Sequence, residues 1–338
     1  MGCSTPLPER RGRRARDVMD EAEVIARLRR IATDPAARGL LDDAALLGEL
    51  VITHDSIAEG VHFLPFDPPA SIGWKLVAVN LSDLAAKGAT PAGALLSLTI
   101  AGDGEWESEF LTGIEHACES YRLPLIGGDT IALPPGSRRV LGLTAIGRAG
   151  ARVPDRAGGK PGDRLWLVGT VGDSAAGLAQ LRKDRRSAGP LVDIYRRPVP
   201  LLAPGQALAA CAHAMMDVSD GLLLDALRMA RASGCGVDIR LDELPLSDAF
   251  IGDRGDDEKA RLFAATGGDD YALLAALPPK LDPSTLSLPR GTTIGCIGML
   301  VAGGPAIRLT FGGRPVKLPE KLGFEHRRNP AAPVADRL

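Results

Sequence analysis

The sequence of 338 residues is 45% hydrophobic and 24% charged, and its formal net charge is −2. This composition is typical of a globular protein with about two domains, and it gives no support to a nucleic-acid partner. No uncharged run is long and apolar enough to span a membrane. The five cysteines are scattered and form no CxxC pair, which argues against disulfides or a zinc site and favours a reducing, cytoplasmic setting.

The first elements are a basic tail, a helix and a strand. Residues 1–19 are Arg-rich and lack the apolar core of a secretory signal, so we expect a disordered tail. Apolar side chains share one face over residues 20–31, which predicts a helix. The apolar run at residues 50–53 predicts a strand that presents Asp55 at its carboxyl end.

The most informative stretch is VAVNLSDLAAKGATP, residues 77–91. Apolar side chains recur there at helical spacing, and Gly88 followed by Pro91 ends the predicted helix. On this stretch alone, a solvated stripe on a surface helix and a functional stripe are equally compatible with the spacing. The polar members of the stripe are Asn80, Asp83 and Lys87, beside Ser82.

The remainder alternates predicted strands and helices. A Gly-, Pro- and Arg-rich segment at residues 147–163 predicts a boundary between two domains, residues 20–149 and 150–330. In the second domain, Asp173 or Ser174 is expected to cap a helix. The predicted strands are residues 94–100, 123–126, 140–146, 164–168, a short strand into Asp217, 271–277, 293–300 and 306–311; the predicted helices include residues 105–121 and a segment that closes at Gly234.

Two short motifs occur in the same order in both halves. NLSD at residues 80–83 precedes GGD at 127–129, and DVSD at 217–220 precedes GGD at 267–269, with offsets of 137 and 140 residues. The repetition has two explanations. It arises by chance in a Gly- and Asp-rich sequence, or the two halves are related and face one site. Paired glycines let a backbone approach a phosphate closely, although a tight turn explains GGD equally well.

Asp residues recur at the predicted strand ends and turns. Several carboxylates can share one cleft only if they are protonated or neutralised, and Mg²⁺ neutralises them while also binding phosphate oxygens. Such a site suits phosphoryl transfer; the alternative is that each Asp is a helix cap or turn former. P-loop, GxGxxG, GxSxG and HExxH signatures are absent, which disfavours the corresponding enzymes. The acids are Asp42, Asp43, Asp55, Asp83, Asp129, Asp217 and Asp220.

A series of motifs resembles those of the thiamine-monophosphate kinase family, part of the superfamily that contains aminoimidazole ribonucleotide synthetase and selenophosphate synthetase. The resemblance covers about residues 20–324. In chain order the motifs are EGVHF (59–63), VNLSDLAAKGATP (79–91), IGGDT (126–130), KPGD (160–163), GDSAAGL (172–178) and DVSDGL (217–222).

The resemblance implies an α/β (α+β) fold of two aminoimidazole ribonucleotide synthetase-like domains, with a homodimer formed through the N-terminal sheet. It also implies ATP- and Mg²⁺-dependent phosphorylation of thiamine monophosphate without a covalent nucleophile. Catalysis would rest on Asp129, Arg156 and Asp220. Residue by residue, the resemblance implies Mg²⁺ ligands at Asp43, Thr53, the backbone of His54, Asp55, Asp83, Asp129, Asp217 and Asp220; ATP contacts at Gly128, Asp129, Arg156 and Ser219; and acceptor contacts at His62, Asp269 and Phe324.

Four positions depart from the commonest family pattern: Leu41 replaces Gly, His54 and Ile131 each replace Thr, and Asp269 replaces Glu. The shorter Asp269 is expected to shift the acceptor contact. Two rivals remain, an enzyme of the same superfamily with another acceptor and a non-catalytic nucleotide-binding protein. The retained carboxylates argue against the second, because unpaired buried carboxylates destabilise a protein. Against a selenophosphate synthetase, Cys3 lacks the glycine-rich setting of its reactive residue.

Overall fold

The structure is a computed structural model that describes residues 21–134 and 136–324. The predicted tail of residues 1–19 lies outside the described residues. Each half of the chain builds one sheet, five-stranded in the first half and seven-stranded in the second, with helices packed on the sheets. This arrangement confirms the predicted α/β class.

The first half begins with a short helix and continues as strands and longer helices. In chain order the elements are α1 (Glu21–Arg29), β1 (Ala45–Leu47), β2 (Leu50–Ala58), α2 (Pro69–Ala86), β3 (Thr90–Ile100), α3 (Gly104–Tyr121), β4 (Leu125–Ala132) and β5 (Val140–Arg148). The strand order is β1-β2-β5-β3-β4, and all neighbours are antiparallel except β3 and β4, which are parallel. Helix α2 packs on β2 and β5, and α3 packs on α2.

The second half is a mixed sheet flanked by shorter helices. Its elements are β6 (Arg164–Val168), α4 (Asp173–Lys183), α5 (Pro190–Arg196), α6 (Leu202–Ala209), β7 (Ala214–Val218), α7 (Leu222–Ala232), β8 (Gly236–Arg240), α8 (Asp248–Arg254), α9 (Glu258–Thr266), β9 (Ala272–Leu277), β10 (Ile294–Val301), β11 (Ile307–Phe311) and β12 (Arg314–Val316). The strand order is β12-β11-β8-β10-β6-β9-β7, with β8 and β11 parallel and the other neighbours antiparallel.

Helix α2 is buried on almost every side. Its predicted apolar face packs on the first sheet. In the polar stripe, Ser82 and Lys87 contact β7 of the second half, whereas Asn80 accepts a 2.9 Å hydrogen bond from the N–H of Asp55 in β2. Asn80 and Lys87 are fully buried and Asp83 is 8% exposed. The interpretation of this stripe as a solvated surface is therefore wrong, because its side chains are buried between the first sheet and the second half.

Three local predictions differ from the structure. Strand β2 continues to Ala58, so Asp55 lies within the strand and not at its end. The GGD motif at residues 127–129 lies inside β4, where pairing with β3 extends the strand through both glycines. Helix α4 is preceded by Gly172 and has no side-chain cap, since Asp173 is already its first helical residue.

The predicted first helix is confirmed as α1, which ends at Arg29, before Ile31. Most of the predicted apolar face is open to solvent, since Val24, Leu28 and Ile31 are 38%, 47% and 77% exposed while Ile25 is half-buried. None of the helices that the structure describes has the length and apolar character needed to cross a membrane.

The crossing of α2 and α3 depends on glycine. A Cβ atom on Gly113 would lie 2.0 Å from the carbonyl oxygen of Ala70, whereas one on Gly104, in the same helix, would meet nothing within 4 Å. We expect Gly113→Ala to lower the free energy of unfolding by about 1–3 kcal/mol through overpacking. Gly104→Ala, the matched control, should change it by less than about 1 kcal/mol. Urea denaturation measures both, and equal effects would contradict the prediction.

Candidate active site

Three buried carboxylates from different parts of the chain meet between the two halves. Oxygen atoms of Asp43, Asp83 and Asp217 all lie within 4.8 Å of one another, a spacing that fits a shared cation. Asp43 lies in the loop before β1, Asp83 in the last turn of α2 and Asp217 in β7. Ser82 Oγ donates a 2.7 Å hydrogen bond to Asp217. The NLSD and DVSD motifs of the two halves therefore face one site.

The carboxylates of Asp83 and Asp217 are poorly compensated. Burial raises the pKa of Asp83 well above its ordinary value, and nearby carboxylates raise it further. Burial, followed by the charge of Asp43, does the same to the pKa of Asp217. Thr53 donates a hydroxyl hydrogen bond to Asp83, as Ser82 does to Asp217, but neutral donors offset little of the repulsion. The centre of the site consequently favours a proton or a cation.

Asp43 differs because two cations hold it. Lys87 Nζ lies 2.8 Å from one Asp43 oxygen, pairs with Asp42 and donates a 3.0 Å hydrogen bond to the carbonyl of Met215. Arg156 pairs with the other Asp43 oxygen. Burial alone would raise the pKa of Asp43, but Lys87 and Arg156 hold it below its ordinary value. The buried Lys87 thereby ties the loop before β1 to β7 of the second half.

A further buried acid shapes the turn after β7. The carboxylate of Asp225 accepts 3.1 Å hydrogen bonds from the backbone N–H groups of Ser219 and Asp220. Arg228 pairs with Asp225 at 2.8 Å and with Asp220 at 2.5 Å. Burial raises the pKa of Asp225 to about 6, even though Arg228 opposes the shift. These contacts fix the position from which Ser219 and Asp220 reach the site.

A cavity of about 520 Å³ lies beside these acids, and Asp55, Ser219 and Asp220 form part of its wall. The three residues that the resemblance assigns to the acceptor also line it, so the fold brings them together from three distant segments. These residues are His62, Asp269 and Phe324. The N–H of Ala58 donates to His62 Nδ1 at 3.0 Å, so Nε2 carries the proton of the neutral ring.

Gly128 and Asp129 do not join this arrangement within one chain. They lie on β4, which is exposed along its whole length. In register across the sheet, Asp129 is followed by Ser97, Gly142 and Ser56, which puts it three strand spacings, roughly 14 Å, from β2. Residues paired in register share a face of the sheet, and this face is opposite the acid cluster.

The side chain of His54 also points away from the acids. Its neighbours Thr53 and Asp55 project to the other face because side chains alternate along a strand. The His54 ring lies 2.9 Å from Thr144 Oγ1 and 3.3 Å from Ser56 Oγ on the exposed face. The His54 side chain therefore lies outside the acid cluster, and a metal contact through its backbone stays a prediction.

Three charged residues that organise the site are absent from the sequence-predicted contacts. Lys75, Lys87 and Asp225 are 2%, 0% and 0% exposed. Lys75 and Asp225 each interrupt an apolar helical run, where an unpaired charge would be costly, and that interruption is the signal by which the sequence could have indicated them. Lys87 follows the last residue of α2 and belongs to the polar stripe noted in the sequence, but its partners were not predicted.

Comparison with known proteins identifies both halves. Models of the AIR synthase related protein family match residues 41–149 (N-terminal domain) and 160–290 (C-terminal domain). The thiamine-monophosphate kinase of Salmonella typhimurium is 39% identical over 306 residues, covering 86% of this chain and 92% of that protein. The structure of AaThiL complexed with AMPPCP and TMP superposes with a TM-score of 0.78 at 28% identity, covering 91% of this chain and 97% of that one. The structure of the thiamine monophosphate kinase of Aquifex aeolicus superposes with a TM-score of 0.75 at 28% identity, covering 88% of this chain and 98% of that one.

The repulsion at Asp83 predicts a pH-dependent gain in stability for Asp83→Asn in the absence of divalent cations. Because the folded state raises the pKa of Asp83, its destabilising charge is absent at low pH, develops above the ordinary value of 3.8 and is complete above the folded pKa. The Tm of Asp83→Asn should thus exceed that of the wild type by more at about pH 8 than at about pH 4.

The exposed Asp242 provides the control, because Asp242→Asn should shift Tm equally at both pH values. Thermal unfolding in a chelating buffer measures these differences. A wild type at least as stable as Asp83→Asn at the higher pH would show that the cluster is not repulsive.

Proposed function

The chain belongs to the thiamine-monophosphate kinase family of AIR synthase related proteins, and we propose that it transfers the γ-phosphoryl group of ATP to thiamine monophosphate, giving thiamine diphosphate and ADP. The observation that carries this proposal is the buried acid cluster, built from both halves beside the cavity lined by His62, Asp269 and Phe324. Such an arrangement suits a reaction in which positioning and charge neutralisation supply most of the catalysis.

We further propose Mg²⁺ as the cation of the acid cluster. Carboxylate oxygens are the donors that this hard cation prefers, and the cluster holds more carboxylates than Lys87 and Arg156 can balance. One buried oxygen of Asp43 receives an ion pair from Lys87 but no hydrogen bond of good geometry. The proposed ligands are Asp43, Thr53, the backbone of His54, Asp55, Asp83, Asp217 and Asp220, with Asp129 supplied as described below.

The protein's own groups divide the remaining work. His62, Asp269 and Phe324 would hold the acceptor so that its phosphate faces the acids, and Ser219 and Arg156 would contact ATP. When bound, Mg²⁺ supplies positive charge to the phosphate oxygens. Arg156 adds charge stabilisation as the acceptor oxygen attacks the γ-phosphorus in line. A phosphate acceptor is already ionised at neutral pH, so the proposal needs neither a covalent nucleophile nor a general base.

A homodimer through the first sheet is also part of the proposal. The sheet face opposite α2 carries Leu95, Leu125, Ile131 and Val140, which are 40%, 49%, 52% and 50% exposed. Apolar residues gathered on an open sheet face and an unpaired edge strand favour association. A second copy on this face would cover Gly128 and Asp129 and offer them to the site that one chain leaves without them.

We propose two domains, residues 20–149 and 150–330, acting in the cytoplasm. The first sheet ends at Arg148 and the second begins at Arg164, which supports a boundary between them. Among the described residues, Cys118, Cys211, Cys235 and Cys296 are free thiols, a state suited to a reducing compartment.

Product analysis tests the reaction. The purified protein with ATP, Mg²⁺ and thiamine monophosphate should form thiamine diphosphate and ADP in equal amounts, with none formed from free thiamine or without metal. We expect Asp83→Asn and Asp220→Asn each to lower turnover more than about 100-fold, since loss of even an outer partner of a metal ligand costs 10–100-fold. Asp242→Asn should retain activity.

Other products would separate the rivals. ADP without thiamine diphosphate would indicate another acceptor, and ATP binding without ADP formation would indicate a non-catalytic binding protein. Full turnover in both acid variants would contradict the proposed metal site.

The dimer proposal predicts an effect of Leu125→Asp on oligomeric state. Leu125 is 49% exposed on β4, and a charge there would have to be desolvated in the interface. We expect the variant to be monomeric under conditions where the wild type is dimeric, as measured by sedimentation equilibrium. Leu111→Asp is the matched control, because Leu111 is 44% exposed on α3, away from the sheet face. A dimer of unchanged affinity in Leu125→Asp would exclude this interface.

A further inference from the structure

One buried lysine connects two of the three segments that carry proposed acceptor contacts. Lys75 lies on α2, and its side chain is 3% exposed. Its Nζ donates a 2.8 Å hydrogen bond to Asp269 Oδ2 and a 3.0 Å hydrogen bond to the carbonyl oxygen of His62. The same ammonium lies 4.3 Å from the centre of the Tyr195 ring, over its face. The ammonium group therefore has three partners: a carboxylate, a carbonyl oxygen and an aromatic ring.

Tyr271 fixes the other oxygen of Asp269. Its hydroxyl donates a 2.9 Å hydrogen bond to Asp269 Oδ1. Burial, followed by the charge of Asp269, raises the pKa of Tyr271 well above its ordinary value, so the hydroxyl remains a donor throughout the working pH range. Each oxygen of Asp269 is therefore engaged by one protein donor.

The backbone around Asp269 is held in an uncommon conformation. Asp269 and Tyr271 have φ angles of 67° and 54°, in a region that non-glycine residues seldom adopt. The N–H of Asp269 donates to the carbonyl of Ser219 at 2.7 Å, and that of Tyr271 donates to Val218 at 2.8 Å. A conformation of this kind persists only where its surroundings impose it, and Lys75 is one of the groups that do so.

The ammonium changes what Asp269 presents to the cavity. The Asp269 side chain remains 26% exposed and lines the cavity, so its unused lone pairs are open to a ligand. With its charge compensated by Lys75, the carboxylate serves as a fixed hydrogen-bond acceptor more than as a free anion. The Asp269 carboxylate is therefore better suited to accept a hydrogen bond from an N–H group on the acceptor's heterocycle than to bind a cation.

We propose that Lys75 is a positioning residue that determines recognition of the acceptor, by holding Asp269 and the His62 loop in one fixed relation and by neutralising Asp269. The inference rests on the proposed function, since it concerns the acceptor of that reaction. Lys75 takes no part in the chemical step. Its effect reaches the acceptor through Asp269, which comes from the other half of the chain, 194 residues away.

The primary test is Lys75→Met, which keeps the length and apolar stem of the side chain but removes its charge. We expect the KM for thiamine monophosphate to rise about tenfold or more, because a partly buried carboxylate loses its partner, while the KM for ATP changes less than about threefold. Lys183→Met is the control, since Lys183 is exposed on α4 and should leave both constants unchanged.

A double-mutant cycle separates positioning from general damage. Asp269→Asn should also raise the acceptor KM, but Lys75→Met combined with Asp269→Asn should raise it by much less than the product of the two single effects, because no unpaired carboxylate remains. Tyr271→Phe, which removes the second donor alone, should raise the acceptor KM in the same direction and by a smaller factor. These variants decide the question even if Lys75→Met alone folds poorly.

The outcomes are distinct from those for the proposed function. A wild type inactive on thiamine monophosphate would defeat the proposed function itself. With an active wild type, an acceptor KM within about twofold of normal in Lys75→Met would overturn the inference, since a factor of two lies below the cost of an unpaired buried group. Equal rises in both KM values, or single effects that simply multiply in the double variant, would also overturn it and leave Lys75 a packing residue.

Discussion

The structure is organised around repulsion between buried carboxylates. Asp83 and Asp217 are buried between the two halves, where burial raises the pKa of both carboxylates and neighbouring carboxylates raise it further. Hydrophobic packing elsewhere has to overcome that cost. Lys87 is the main internal compensation, and because it contacts Asp43 and the Met215 carbonyl it also fixes how the halves meet. One ammonium group therefore joins the electrostatics of the site to the architecture of the chain.

Helix α2 can serve this arrangement because it is a central element with a different partner on each side. Glycine at its crossing with α3 brings the two backbones close together, and its apolar face covers the first sheet. Its remaining face directs Lys75 to Asp269, and Ser82 and Asp83 to Asp217, so it reaches two separate targets in the second half. A surface helix could not do this, since solvent would screen such charges and weaken each contact. Burial of the polar stripe carries a desolvation cost. Burial also strengthens the contacts that its charged side chains make with particular partners.

Features of the fold and site that depend on short segments could be predicted from the sequence, whereas those that depend on contacts between distant segments could not. Helical periodicity located α2 because it is a local signal. The repeated NLSD and DVSD motifs offered a shared site as one of two explanations, and the structure brings Asp83 and Asp217 together. The position of Asp129 could not be obtained in this way. It depends on the register of four strands and on which sheet face stays open, and a shift of one residue would reverse that face. The pairing of Lys75 with Asp269 was equally inaccessible, since no local pattern reports a partner in the other half of the chain.

The acid cluster and the cavity beside it show how one residue type acquires two functions from its surroundings. Among the described residues, Asp83 receives a neutral hydroxyl donor and no ion pair, so its charge stays uncompensated and favours a cation. At the proposed acceptor contact, Asp269 receives an ammonium and a phenol, so its charge is already balanced and its lone pairs are available for hydrogen bonding. A cation drawn to the first carboxylate thus gains little at the second. In the proposed reaction, this difference in compensation would keep the metal at the acid cluster and the acceptor at Asp269.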